Sequence, residues 1–152
     1  MIEIRTAVAT ELESVLELLS LQLQENSVPV SREHLRPATL QMLERPELGR
    51  ILVATRGNRL VGLAVLSFLW TLEHGGATTW LDELYVDPHE RGDGLGTRLL
   101  EAAMTIARAR GCRALDLEVE PGHESAVRLY ERMGFCRLPR ERWMRPLISQ
   151  LL

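Results

Sequence analysis

The sequence predicts an α/β chain: a central mixed, twisted sheet of about seven strands flanked by four helices. Three observations carry that prediction. Helical periodicity and strand alternation take turns along the chain in the order β-α-α-β-β-β-α-β-α-β-β. Two long apolar, β-branched runs flank the turn residues Arg56-Gly57-Asn58-Arg59, which reads as an antiparallel hairpin. The chain has 152 residues, the length of one ordinary domain, so residues 1–152 are expected to form a single domain with one continuous core and no linker.

In chain order, Ile2 to Arg5 is a short strand. Thr10-Glu11-Leu12-Glu13 has the form of a capping box before apolar Leu12, Val15, Leu16, Leu19 and Leu23, predicting a helix from about Glu11 to Gln24. A second helix is expected between Ser31 and Glu44, with Pro37 breaking it or marking its first turn. Arg50 to Thr55, Leu60 to Trp70 and Thr78 to Val86 read as strands, the last ended by Asp87-Pro88. A long helix follows Gly96 and stops at Gly111, with Leu99, Ala102, Ala103 and Ile106 on one face. Leu115, Leu117 and Val119 alternate in a strand from Ala114. A helix from about Glu124 ends at Gly134, and Phe135 to Leu138 and Arg142 to Leu147 are the last two strands.

Composition narrows the functional classes. The chain is 45% apolar and 26% charged with a formal net charge of −3, so it lacks the basic footprint of a nucleic-acid binder. It has no apolar run long enough for a membrane span, and Met1-Ile2-Glu3-Ile4-Arg5 lacks the regions of a signal peptide. A cytoplasmic protein that binds neither nucleic acid nor membrane is expected. Cys112 and Cys136 have no metal-ligand or Cys-x-x-Cys spacing and read as reduced structural thiols. His34, His74 and His89 form no metal-ligand spacing either, so no metal is expected; His74 is the one that could face a substrate.

The segment Arg91-Gly92-Asp93-Gly94-Leu95-Gly96-Thr97 lies between a strand and the start of a helix. Unpaired amides and the positive end of the helix dipole favour an anion there, and glycines admit close approach of a phosphate. A nucleotide P-loop would need a lysine that is missing, and the dinucleotide fingerprint would need glycine where Thr97 stands.

At Arg91-x-x-Gly94-x-Gly96 the segment resembles the signature of the GNAT superfamily of N-acetyltransferases. The resemblance extends through Leu81-Asp82-Glu83-Leu84-Tyr85-Val86-Asp87-Pro88 before the loop and Thr97-Arg98-Leu99-Leu100 after it. It recurs in a second block, Ser125-Ala126-Val127-Arg128-Leu129-Tyr130-Glu131-Arg132-Met133-Gly134-Phe135. It implies the acyl-CoA N-acyltransferase fold, acetyl-CoA (coenzyme A) as cofactor, and transfer of the acetyl group to an amine. The pyrophosphate would rest on the amides from Arg91 to Thr97, and the pantetheine arm would lie along Leu84, Tyr85 and Val86. His123 stands where many relatives have an asparagine that holds the pantetheine, a departure that puts that contact in doubt. Arg91, Arg98 and Arg128 could offset phosphate charge.

An amine with pKa near 10 arrives as an ammonium, so acetyl transfer needs a base, and the leaving thiolate is helped by an acid. The resemblance points to Tyr130 as the acid. Asp82 and Glu83 are the candidate bases; alternation lets only one face a substrate, a bulge could change that, and alignment with the polyamine and small-amine subgroup leans to Asp82. The acidic group Glu73, Asp82, Glu83 and Asp87 suits a cationic acceptor, whether a small molecule or a protein amine. A homodimer is expected from family habit and the apolar C-terminal strands. The alternative is a coenzyme A-binding module without turnover, against which Tyr130 and the carboxylate pair argue.

Overall fold

The computed structural model describes residues 1–149. They form two compact units, Met1–Pro121 and a second that begins at Gly122.

The first unit is a sheet of five strands in the order β1-β2-β3-β4-β5, formed by β1 (Ile2–Thr6), β2 (Gly49–Arg56), β3 (Arg59–Thr71), β4 (Gly76–Val86) and β5 (Leu115–Leu117). The first four are antiparallel neighbours, and β5 lies parallel to β4. Three helices cover it: α1 (Leu12–Glu25), α2 (Arg32–Glu44) and α3 (Leu95–Ala109). Strand parity sorts the two faces. Ile51, Val53, Leu63, Val65 and Tyr85 point to α1, forming one core with Val15, Leu18 and Leu19. The alternate positions face α3, where a Cβ on Gly62 would come within 3.2 Å of Leu99 Cδ1 and 2.9 Å of the Tyr85 carbonyl oxygen. Glycine is required there because the helix packs directly on the backbone.

Two details at the N-terminal end differ from expectation. Thr10 does not cap α1; a short 3-10 turn, Ala9–Glu11, precedes it, and the Glu11 carboxylate accepts the Val8 amide at 3.0 Å and both Arg5 guanidinium nitrogens. Pro37 neither breaks nor starts α2 but lies inside it. The missing amide costs a helix about 3 kcal/mol. Offsetting interactions are the Ser31 side-chain cap on the His34 amide, the Arg36–Glu13 ion pair with α1, and the Thr39 hydroxyl on the Leu35 carbonyl.

The second unit contains α4 (Glu124–Arg132). Its end explains the Gly134-Phe135 pair. Gly134 has φ +90°, the Phe135 amide donates to the Tyr130 carbonyl at 2.9 Å, and the two rings meet edge-on at 5.6 Å. That is a Schellman cap with its accompanying hydrophobic contact. The expected strands at Phe135 to Leu138 and Arg142 to Leu147 do not form, so the described residues contain five strands rather than about seven. Pro139 and Pro146 withhold ladder donors, and Arg137, Arg140, Arg142 and Arg145 make the stretch strongly cationic.

Candidate active site

The register of β4 against β3 sets the positions of the two candidate bases. Glu83 lies opposite Val65 and Leu81 opposite Leu66, so Asp82 is the extra residue of a β-bulge. The bulge suspends alternation for one step. Glu83 shares the α1 face with its partner Val65, and Asp82 reaches the same face, where Ser67 donates its hydroxyl hydrogen bond to the carboxylate. Both carboxylates thus face one side, which parity forbids in a regular strand.

Their environments differ. Asp82 is exposed and Glu83 half-buried. The Glu83 carboxyl is raised from 4.5 to about 6, chiefly by burial, with a hydrogen bond from Gln22 of α1 pulling the other way and the neighbouring Asp82 charge adding to the rise. A carboxylate that loses its proton near pH 6 is poised to accept one at neutrality.

Beyond the bulge the strand has an open edge. Pairing with β5 runs from Thr79–Leu115 to Leu81–Leu117. Among the described residues, Glu83 to Val86 pair with β3 only. By the alternation of the ladder, Tyr85 turns its amide and carbonyl toward β3, while Leu84 and Val86 turn theirs outward, the Val86 carbonyl accepting from Arg91 and the rest forming an edge that an extended, amide-bearing chain could join. Tyr85 itself is buried in the α1 core.

The strand leads into the glycine loop through a 3-10 turn, Pro88–Glu90, held from outside by the β2–β3 hairpin. Arg56 forms a two-pronged pair with Glu90, and Arg59 reaches Asp87 at 2.9 Å and Glu90 at 3.1 Å. Asp87, counted in the acidic group, is therefore occupied in holding the turn; arginines thirty residues upstream gave no local sign of it. Gly92 and Gly94 have φ of +95° and +76°, and a Cβ on either would meet nothing within 4 Å. Gly94 is the left-handed N-cap of α3 without a side-chain cap, and the first helical bond runs from Arg98 to its carbonyl. The amides of Leu95, Gly96 and Thr97 thus precede the helix ladder and, with Asp93 beside them in the loop, form an uncapped helix start open to a diphosphate.

The arginines take other partners. Arg91 binds both carboxylate oxygens of Glu25, at 2.9 Å each, and donates from Nε to the Val86 carbonyl at 2.8 Å. Arg98 donates to the Ile2 carbonyl, and Arg128 lies 3.9 Å from Glu124 within α4. His123 is the exposed residue before α4 and makes no side-chain cap. Tyr130 is half-buried on α4. Cys112 accepts a hydrogen bond from Thr79, and Cys136 is exposed. Spacing gave no hint that His74 and Asp116 meet at 2.9 Å, with Glu73 close by; the contact exists because β5 returns beside the β3–β4 turn.

The profile of the Acetyltransferase (GNAT) family matches residues 12–135. A mycothiol acetyltransferase from Thermobispora bispora is 42% identical over 91 residues, 56% of this chain and 29% of that protein. An IAA acetyltransferase from Azospirillum brasilense is 34% identical over 108 residues, 71% of this chain and 66% of its own length. Thus the chain spans well under half of the first relative and about two thirds of the second. An aminoglycoside N-acetyltransferase solved with coenzyme A superposes with a TM-score of 0.84 over 97% of this chain and 96% of that one, at 18% identity, a likeness of fold.

Proposed function

The chain belongs to the acetyltransferase (GNAT) family, and from that premise we propose that it transfers an acetyl group from acetyl-CoA to a primary amine by direct attack on the thioester. The observation that carries the reading is the bulge in β4, which sets two carboxylates on one face, beside an open strand edge that runs into the uncapped start of α3. Acetyl-CoA supplies the activated acyl group as a thioester. The α3 amides from Leu95 to Thr97, with the loop from Arg91 to Gly94, would hold its diphosphate, and the edge from Leu84 to Val86 its amide-bearing arm.

Glu83 is our choice of base over Asp82, because its proton affinity is matched to neutral pH and Asp82 is engaged with Ser67. The ammonium first gives one proton to Glu83, directly or through water, which frees the lone pair that attacks the thioester carbon, and the nitrogen sheds a second proton to solvent after the N–C bond has formed. As the C–S bond breaks, the thiolate takes a proton, for which the second sequence block nominates Tyr130 as donor. His123 is nominated for the pantetheine on the same block. Asp82, Glu83 and Glu73 favour a cationic acceptor, small molecule or protein. The reading extends to both units as one catalytic domain in the cytoplasm, and to a homodimer, supported by Trp143 and Leu147, which are 87% and 88% exposed. No helix among the described residues is long and apolar enough to cross a membrane.

Thermal unfolding with acetyl-CoA, NAD and ATP is the direct test, since a ligand of the folded state raises stability by RT ln(1 + [L]/Kd). Acetyl-CoA at about a hundred times its Kd is expected to add about 2.7 kcal/mol, and amines should then release free thiol. A rise with NAD or ATP and none with acetyl-CoA overturns the reading.

A further inference from the structure

The last turn of α1 spans the site from the candidate base to the phosphate loop. Gln22 hydrogen-bonds Glu83, and Glu25, one turn on and on the same helix face, grips the Arg91 guanidinium with both oxygens at 2.9 Å. Arg91 in turn donates to the Val86 carbonyl at 2.8 Å and stacks on the Tyr85 ring at 5.6 Å. The helix end that presents these residues is itself fixed. Ser27 takes the left-handed conformation at φ +57°, the Val28 amide donates to the Leu23 carbonyl at 2.8 Å, and the Ser27 amide donates to that of Gln24 at 3.1 Å, a Schellman cap built without glycine.

We propose that Glu25 is a positioning residue for the coenzyme site: it acts through Arg91, fixing the end of β4 and the entry of the glycine loop to the helix that also touches Glu83. On this view the Arg91 charge is spent on Glu25 and does not serve as the phosphate counter-ion. A bidentate guanidinium–carboxylate pair leaves a flat, directional contact, and the third donor, Nε, aims at Val86 only while the other two are held.

The inference rests on the acetyl-CoA reading, and the experiment separates the two. Acetyl-CoA is titrated calorimetrically into wild type, Glu25→Gln, Arg91→Gln and the double variant. Glu25→Gln is expected to weaken binding roughly tenfold, the scale of one charge-assisted hydrogen bond. The double variant should be no weaker than Arg91→Gln alone, because on this proposal Glu25 acts on the coenzyme site through Arg91. In steady state the loss should fall on KM for acetyl-CoA rather than on kcat. Tighter or unchanged binding in Glu25→Gln overturns the proposal; tighter binding would mean that Glu25 withholds a phosphate ligand. Wild type that binds no acetyl-CoA is the failure of the functional reading instead. In that event amide exchange from Val86 to Gly94 still decides the brace: faster exchange in Glu25→Gln supports it, and unchanged exchange overturns it.

Discussion

The two halves of β4 are one continuous strand with different duties. From Gly76 to Leu81 it runs along β3, with β5 on its other side from Thr79 on, and Thr78, Thr79 and Leu81 are buried. Even its hydroxyls are engaged, Thr78 with Thr71 and Thr79 with Cys112. From Asp82 to Val86 it keeps one neighbour, carries the bulge and exposes a carboxylate. A strand with two neighbours has spent its backbone donors and acceptors on the sheet; one with a single neighbour still has a row to offer a ligand. Changes in the first half should therefore appear as lost stability, and changes in the second as lost activity.

The strongest test is Glu83→Gln. Loss of a general base is expected to lower kcat/KM at least about 100-fold at neutral pH and to remove the acid limb of the pH profile near 6. Stability should move the other way. With its carboxyl raised from 4.5 to about 6, the native protein holds a proton that the unfolded chain releases in that window, so wild type loses stability as pH rises through it. Glu83→Gln avoids that loss and should be more stable at pH 7, by at most about 2 kcal/mol. Unchanged turnover, read by thiol release, would remove Glu83 from the chemistry.

Leu81→Ala, one residue before the bulge, should do the reverse. Leu81 is 4% exposed, and truncating a buried leucine costs about 2–5 kcal/mol, measurable by urea unfolding, while folded protein keeps its turnover per molecule. A large fall in kcat without lost stability would erase the division between the halves.

Asp82→Asn is subtler. Removing the charge that helps raise Glu83 should shift the acid limb to lower pH, with less than about a tenfold loss at the plateau, or about 1.4 kcal/mol. A plateau as low as that of Glu83→Gln would transfer the base to Asp82. The smallest effect lies outside the strand: Ser27→Gly relieves a left-handed residue and should stabilise by about 0.5–1 kcal/mol in thermal unfolding.

Much of this was legible in the sequence. Helical and strand periodicities located α1, α3, α4 and β1 to β5 to within a few residues, and the glycines at 94, 111 and 134 marked helix ends because left-handed caps are local. The glycine loop and both sequence blocks were legible for the same reason: a helix start and its amides are set by consecutive residues. The misreadings were also of one kind. The helix continued through Pro37 because a cap and an ion pair to another helix offset the lost amide, and two short apolar C-terminal segments formed no strand.

What the sequence determined by itself, then, was the order of elements as far as α4, the family and the chemistry available. Which of Asp82 and Glu83 has a raised proton affinity, which partner takes Arg91, and how Arg56 and Arg59 pin the turn at Glu90 were decided only in three dimensions. The physical reason is that desolvation and ion pairing depend on which groups from distant segments arrive together. Periodicity records only which face a residue occupies, and at the bulge in β4 even that rule gives way to the register with β3.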